Sequence, residues 1–356
     1  MERTKNNLWI FVAGFGILTA CFAAGFLLLR GNGPDSPEAG AGGPRPDQPA
    51  GAVAVEAPAG KDPNVAYEND FSGEPGPEWN RPTTKRTKKG DRPYLGDFLP
   101  GSKPTLSLKS LPPHKLVRLT FDLFLFKSWD GSSPMWGPGL MDVSVGGDDG
   151  RSLLHATFGN CGFFSDNNEQ SFPDNFPARP YEAWTLAMEN QSLGTEVSWG
   201  GPDRTFDASS AYHMVYTFPH AAPEIEVEFA STLPDNPNKP FGLTNVKVET
   251  LPELAKFSSE EFAKLWADLG SGNAKTFYEA RWKLVSAGDA AADYIFMHYK
   301  NLDIPENPKI TAPGGHGKPY PMEAPVIHRE RARWVLEAIH TPLALEVKKG
   351  IPTIVE

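Results

Sequence analysis

The feature that most constrains this chain is an uncharged run of twenty-two residues near its N-terminus. Residues 8–29 read LWIFVAGFGILTACFAAGFLLL. A helix rises about 1.5 Å per residue, so this run would extend roughly 33 Å, enough to cross the hydrocarbon core of a bilayer. Arg3 and Lys5 precede it, and Arg30 alone borders its other end. The positive-inside rule therefore predicts a cytoplasmic N-terminus, residues 1–7, with the bulk of the chain in the periplasm or at the cell surface.

Two other interpretations of the same run also export the chain. A cleaved signal peptide would end at a small residue such as Ala20 or Ala24, although the apolar run continues to Leu29. Residues 18–21 (LTAC) resemble a bacterial lipobox, in which Cys21 would carry lipid, but apolar residues follow where lipoproteins turn polar. We therefore expect an uncleaved signal anchor that forms a single transmembrane helix.

A spacer rich in Gly, Pro and Ala follows the apolar run. Within residues 30–64, Val53 and Val55 are the only aliphatic side chains larger than alanine. Such a segment buries too little apolar surface to offset the entropy lost on ordering. We expect a disordered linker that holds the folded part some tens of ångströms from the membrane.

Net charge and cysteine content narrow the classes of partner and of fold. The chain carries a formal charge of −10, whereas phosphate binding needs a clustered positive field, so no nucleic-acid partner is expected. The basic run 85–89 (KRTKK) is predicted to be a solvated loop. Because Cys21 lies in the apolar run and Cys161 is the only other cysteine, we expect no internal disulfide.

Period-two alternation of apolar residues dominates from residue 65 onward. In residues 115–126 (KLVRLTFDLFLF), Val117, Leu119 and Phe121 share one face of a predicted strand. Many short strands without a helical period predict a mainly β fold, an antiparallel jelly-roll β-sandwich over residues 65–250. The longest gap, 159–204, is predicted to form loops on one rim. The other predicted strands are 66–71, 94–99, 105–108, 141–145, 153–158, 212–218, 224–231 and 243–250.

The hydrophobic period becomes helical after residue 250. Ser258 and Glu261 fit a capping box, and Phe262 and Leu265 follow at helical spacing. Residues 251–356 are therefore predicted to form a small all-α module. Its further helices are predicted at 274–286, 290–302, 327–340 and 343–349.

Short motifs in both regions carry resemblances to known families. In the β-rich region they are 67–73 (YENDFSG), 76–79 (GPEW), 95–98 (LGDF), 119–123 (LTFDL), 128–131 (SWDG) and 241–248 (FGLTNVKV). This region resembles the concanavalin A-like, LamG-like jelly roll of exported bacterial proteins. The resemblance implies a fold that hosts lectins, hydrolases and adhesion modules, so it does not fix a function.

The helical region carries a second resemblance, in residues 265–269 (LWADL), 280–284 (ARWKL) and 331–342 (RARWVLEAIHTP). These stretches are similar to a HEAT-like module at the C-termini of bacterial WD-repeat proteins. The resemblance implies packing and contact rather than chemistry. We therefore expect the C-terminal helices to bind a protein partner.

Alternate carboxylates on one predicted strand are the candidate for catalysis. Glu224, Glu226 and Glu228 would share a face, and laminarinase-type glycosidases of the resembled fold use Glu-x-Asp-x-Glu. Here the middle residue is Glu, and Ile225 and Val227 make the opposite face apolar, which favours a solvent-facing row. We therefore expect no catalysis, and keep glycoside hydrolysis by this row as the alternative.

The jelly-roll resemblance also implies a structural calcium ion, because such folds often hold Ca²⁺ with oxygen ligands from their first and last strands. Asp70 and Asn245 match those positions, and Asp130 lies in a loop that could add a ligand. No other cofactor is expected.

The long loops combine aromatic side chains with amides and carboxylates. Aromatic faces stack on sugar rings, while amides and carboxylates bind hydroxyl groups. We therefore predict that the sandwich binds a glycan or cell-envelope polymer, and keep a purely structural envelope component as a further alternative. The predicted binding residues are Trp129, Trp136, Phe164, Asp166, Asn168 and Trp184.

Overall fold

The structure, a computed structural model, describes residue 62 and residues 64–133, 136–146, 150–160, 169–177, 180–198, 204–233, 239–302 and 324–352. The predicted anchor 8–29 and nearly all of the predicted linker 30–64 lie outside the described residues. Within the described ranges, no helix is both long enough and apolar enough to cross a bilayer. All of these ranges belong to one compact unit, Ala57–Glu356.

Antiparallel strands account for about half of the described chain between residues 65 and 251. Each long strand alternates buried and less buried side chains, so one face is directed into a core. In chain order the strands are β1 (Val65–Asn69), β2 (Thr84–Arg86), β3 (Pro93–Phe98), β4 (Thr105–Leu108), β5 (Leu116–Phe126), β6 (Leu140–Val145), β7 (Arg151–Thr157), β8 (Glu189–Asn190), β9 (Glu196–Ser198), β10 (Thr205–Asp207), β11 (Ser209–Pro219), β12 (Ile225–Thr232) and β13 (Phe241–Leu251).

Two antiparallel sheets face each other across an apolar core. The larger sheet has the order β2-β3-β13-β5-β11-β8, with β1 also paired to β13, and the smaller sheet has the order β4-β12-β6-β7. Phe121 on β5 meets Phe229 on β12 edge to face, with ring centroids 5.2 Å apart, so side chains of the two sheets interdigitate. The predicted mainly β, antiparallel sandwich is confirmed.

The strand predictions fail only where the strands are very short. The predicted loop 159–204 contains β8 and β9, and the predicted basic loop 85–89 begins inside β2. These strands have two or three residues each, which is too short for an alternating pattern to be recognised.

The helices follow the last strand and lie close to their predicted positions. Ser258 and Glu261 form the predicted capping box, in which each side chain accepts a hydrogen bond from the other residue's backbone N–H. The helix predicted at 290–302 ends at His298 instead, because a 3-10 turn, Tyr299–Asn301, follows. The helices are α1 (Ser259–Leu269), α2 (Ala274–Ser286), α3 (Asp289–His298), α4 (Ala324–Ile339) and α5 (Pro342–Lys349).

The helices cover the side of the sandwich between β11 and β7. The Tyr278 hydroxyl on α2 accepts a hydrogen bond from the N–H of Val215 and donates one to its C=O, each at 3.2 Å. Val215 lies on the part of β11 that β8 does not pair with. On the other sheet, the N–H of Phe176 donates to the C=O of His155 on β7 at 2.7 Å. Groups outside the sheets therefore satisfy backbone groups on both of these edges.

Candidate functional site

Loops converge at the end of the sandwich where β3, β5 and β12 end and β6 and β13 begin. Asp130 forms a β-bridge with Gly159, and the N–H of Ser132 donates to the C=O of Glu169 at 2.7 Å. These contacts bring together loops that are distant in sequence. We call this end the rim, and its described residues are 99–104, 127–133, 136–139, 158–160, 169–170, 233 and 239–240.

Two tryptophans of the predicted glycan-binding set lie on the rim, in contrasting environments. Trp136 is 50% exposed, so half of its surface is accessible to solvent. Trp129 is completely buried and belongs to the core, so its role is packing rather than contact with a ligand. Phe164, Asp166 and Asn168 lie outside the described residues.

Buried Gln170 attaches the loop that carries Trp184 to the rim. Its Oε1 accepts from the N–H of Trp184 and from the hydroxyl of Tyr212, each at 3.0 Å. Its Nε2 donates to the C=O groups of Phe172 and Thr185 at 3.2 and 3.1 Å. Trp184, itself partly buried, is thereby held beside the same end of the sandwich as Trp136.

Exposed apolar side chains of the described sandwich lie at or beside the rim. Leu99 follows β3 on the rim, and Met188 precedes β8, where its N–H donates to the C=O of Ala211 near the start of β11. A cluster of exposed apolar groups at one end of a fold is typical of a binding surface. The other large exposed apolar residues among those described lie on the helices and are Phe296, Met297 and Leu343.

The predicted calcium ligands are only partly brought together. Asp70 and Asn245 lie near each other, because the Thr244 hydroxyl donates to the C=O of Asp70 at 3.1 Å. Asp130 lies on the rim instead, where its carboxylate pairs with buried Lys239. Burial raises the pKa of Asp130, and the adjacent Lys239 opposes that rise.

The side chains of the first two candidates are bound to other protein groups. Asp70 Oδ1 accepts from the N–H and the hydroxyl of Ser72 at 2.9 and 2.7 Å, which lowers the pKa of Asp70. Asn245 donates to the carboxylate of Asp122. Among the described residues, no group of three or more His, Cys, Asp or Glu side chains is placed to hold a metal ion.

The predicted row of carboxylates lies on the outward face of the smaller sheet. Glu224 precedes β12, and Glu226 and Glu228 project outward from it while Val227 is buried. An oxygen of Glu228 lies 3.0 Å from Nζ of Lys103. The geometry is that of a solvent-facing row in which one member is ion-paired.

A carboxylate and an imidazole form a hydrogen-bonded pair on the outward face of the larger sheet. Strand register places His213 directly opposite Asp122, with Nδ1 2.7 Å from Oδ1, while Asn245 donates to Oδ2 at 2.7 Å. The Asp122 side chain is 10% exposed and that of His213 is 53% exposed. Asp122 therefore orients an imidazole whose Nε2 can exchange hydrogen bonds with a hydroxyl ligand.

Sequence reasoning missed this pair, because its members are 91 residues apart and share no motif. The signal that could have found it is strand register. Aligning β5 antiparallel to β11 pairs an acidic residue with a histidine on the outward face of the sheet.

No family model matches this chain, and no curated protein shows significant similarity to it. Solved structures with partial similarity include dimeric latent PorU from Porphyromonas gingivalis, at 12% identity and a TM-score of 0.28, over 54% of this chain and 13% of PorU. The cellotriose complex of a carbohydrate-binding module from Cellvibrio mixtus lichenase 5A has 9% identity and a TM-score of 0.23, over 52% of this chain and 98% of the module.

The xylan-binding domain of a Paenibacillus barcinonensis protein has 12% identity and a TM-score of 0.23, over 53% of this chain and 96% of that domain. Likeness at these scores carries no argument about function. The sheet order and strand register of this chain define its antiparallel sandwich.

Proposed function

We propose that this chain is a membrane-anchored, extracytoplasmic protein that binds glycan or cell-envelope polymer at the rim, with no catalytic step. The observation that carries the proposal is the half-exposed side chain of Trp136. It lies on the rim, whose loops are hydrogen-bonded to one another. The uncharged run 8–29 supports the anchor, and the basic residues before it support export of the sandwich. The short motifs in residues 67–248 support a jelly roll of the concanavalin A-like kind.

The rim combines the two kinds of group that sugar binding needs. The N–H of Trp136 donates to the Ser133 hydroxyl at 3.3 Å, which holds the loop that presents the indole. Glu169 adds a carboxylate whose pKa partial burial raises, and a carboxylate accepts hydrogen bonds from sugar hydroxyls. An apolar ring face beside hydrogen-bonding groups fits a pyranose, which has an apolar face and a polar edge.

The test is binding of full-length protein in detergent to a glycan array and to soluble polysaccharides in affinity gels. We expect Trp136→Ala to weaken binding about tenfold or more, because a stacked aromatic carries much of the affinity of such a site. Phe296→Ala is the matched control, because Phe296 is an aromatic of similar exposure, 47%, on α3. Absence of any glycan ligand, or full binding by Trp136→Ala, would overturn the proposal.

The same assay separates the alternatives. Release of reducing ends from a bound polysaccharide, if Glu224→Gln abolished it, would show that the chain hydrolyses glycosidic bonds. Loss of binding on addition of a calcium chelator would establish the metal ion that the jelly-roll resemblance implies. Co-purification with wall material and no soluble ligand would favour a structural envelope component, with the C-terminal helices as its protein contact.

A further inference from the structure

We call the interface between the sandwich and the helices, around Asp174, Asn175, Tyr216, Arg281 and Arg331, the seam. It buries two guanidinium groups. Arg331 on α4 and Arg281 on α2 are 0% and 2% exposed. Nε and Nη2 of Arg331 donate to the two carboxylate oxygens of Asp174 at 2.8 and 3.0 Å. Its Nη1 donates to the C=O groups of Leu269 and Ser271, at the end of α1, at 2.9 and 2.6 Å. The charge of Arg331 is therefore paired, and each of its nitrogens is hydrogen-bonded.

Arg281 lacks the equivalent carboxylate. Its Nη1 donates to Oδ1 of Asn175 at 3.1 Å, but its Nε and Nη2 are buried with no hydrogen-bond partner among the described residues. These two N–H groups form the side edge of the guanidinium, which typically binds anions in a bidentate manner. The rings of Trp282 and Trp334 lie 5.0 and 5.9 Å from Cζ, but contact with a ring face leaves the in-plane N–H groups unbonded.

A third buried donor lies in the same region. The hydroxyl of Tyr216 on β11 is buried and has no partner among the described residues. Its ring lies 4.6 Å from that of Trp282, which Arg281 also contacts. Burial raises the pKa of Tyr216, and the nearby charge of Arg281 opposes this rise. Tyr216 and Arg281 therefore lie beside the same indole ring, one on β11 and the other on α2.

The seam also carries more positive than negative charge. Among the described residues, Asp174 is the only carboxylate whose charge affects the pKa of Arg281, and it is already paired with Arg331. Burial lowers the pKa of Arg281 to about 10, so the guanidinium stays protonated at neutral pH. An unpaired buried charge is strongly destabilising. Among the described residues, two cations and one carboxylate thus leave one charge uncompensated beside three unbonded donor groups.

We propose that a small monovalent anion of the chloride type binds between the side edge of Arg281 and the hydroxyl of Tyr216. An anion can accept hydrogen bonds from all of these donors at once. A water molecule would also have to direct its own hydrogens towards groups that are mainly donors. A single negative charge balances the surplus, whereas a divalent anion would reverse the imbalance.

The position of this site gives the anion a structural role. Arg281 belongs to α2, Tyr216 belongs to β11, and Asn175 lies in the segment that satisfies the edge of β7. One bound ion would therefore link the helices to the larger sheet. This inference does not depend on glycan binding at the rim.

The direct test uses crystals of the full-length protein grown with bromide in place of chloride. We expect an anomalous peak for bromide within hydrogen-bonding distance of Nε and Nη2 of Arg281. A water molecule or a protein oxygen at that position, without an anomalous peak, would overturn the proposal.

The solution test compares thermal unfolding of the full-length protein in chloride and in gluconate at equal ionic strength. We expect chloride to raise the Tm in a saturable manner by a few degrees, because a ligand that binds only the folded state stabilises it. Arg281→Met should abolish the response, and Arg118→Met, on an open sheet face, should keep it.

If Arg281→Met does not fold, Tyr216→Phe provides the second variant, because it removes one donor and keeps the guanidinium. It should need several-fold more chloride to reach the same rise in Tm. Equal Tm values for the wild type in both salts, or an unchanged chloride response in either variant, would contradict the site.

Discussion

The two buried interfaces of this protein differ in the polar groups that they contain. Between the sheets, Phe121, Phe229 and Trp79 pack as an apolar layer, and each is at most 3% exposed. Between the sandwich and the helices, the equally buried Arg331 and Asp174 form an ion pair. Apolar packing depends on volume and has little directionality, whereas a buried ion pair requires a specific partner in a specific hydrogen-bonding geometry. The sheets associate by apolar burial, whereas directed bonds add to apolar contacts, such as that of Tyr216 with Trp282, where the helices meet the sandwich.

Because of this difference, the two interfaces should tolerate different substitutions. A smaller apolar side chain between the sheets leaves a cavity that its neighbours can partly fill. A missing partner in the seam leaves a buried charge that nothing nearby can compensate. The seam should therefore be the more sensitive of the two, although the apolar core is larger.

The largest expected effect is that of Asp174→Asn. The substitution keeps the size of the side chain but leaves Arg331 without its counter-charge, so we expect a loss of about 3–5 kcal/mol of unfolding free energy. Chemical denaturation, followed by tryptophan fluorescence, measures this loss. Asp142→Asn is the matched control, because Asp142 bonds His155 on an open sheet face and should change stability by less than about 1 kcal/mol. Equal losses in the two variants would remove the proposed distinction between seam and surface.

A second effect tests, through pH, the packing of α4 on α1 beside Arg331. Burial, with a further contribution from the charge of Arg331, lowers the pKa of His328 to about 4, while its unfolded value is about 6.5. The unfolded chain therefore binds the proton first, so the stabilising contribution is complete above pH 6.5 and is lost as pH falls towards 4. We expect His328→Gln to remove on the order of 2 kcal/mol from this pH dependence.

The measurement is unfolding free energy at several pH values between 4 and 7. His220, whose pKa burial also lowers to about 4, contributes a separate part of the same slope, so some dependence should remain in His328→Gln. A slope identical to that of the wild type would show that folding does not change the pKa of His328.

A third, smaller effect tests the sheet–sheet core. Phe229 contacts Phe121 and Trp79, and Phe229→Leu keeps the site apolar while removing part of its volume. We expect a loss of about 1–2 kcal/mol of unfolding free energy by chemical denaturation. A loss larger than that of Asp174→Asn would reverse the comparison between the two interfaces.

The comparison also explains how much of the fold the sequence could predict. Residues 115–126 alternate clearly enough to place β5, and the helical period with its capping box places α1. Both signals are local, because each depends on the burial of one face of one element. Short strands in the predicted loop 159–204 carry no such local signal, since two-residue and three-residue strands form only when another segment pairs with them.

Pairs of distant residues could not be predicted in the same way. Asp174 and Arg331 are 157 residues apart, and Asp122 and His213 meet only through strand register. Among the predicted binding residues, the sequence did not distinguish exposed Trp136 from Trp129, which is buried in the core. Local pattern identifies residue types that suit a function, but only tertiary packing decides which of them reach solvent.

The smallest expected effect concerns a local bond that belongs to neither interface. The Ser258 hydroxyl accepts from the N–H of Glu261 at 3.2 Å, and the Glu261 carboxylate accepts from the N–H of Ser258 at 2.7 Å. Ser258→Ala removes half of this box, and we expect a loss of about 1 kcal/mol by chemical denaturation, while Ser258→Thr should stay near wild type. If Ser258→Ala cost as much as Asp174→Asn, local capping rather than the buried ion pair would position the helices. A small loss of unfolding free energy would show that tertiary packing, rather than its N-terminal cap, stabilises most of α1.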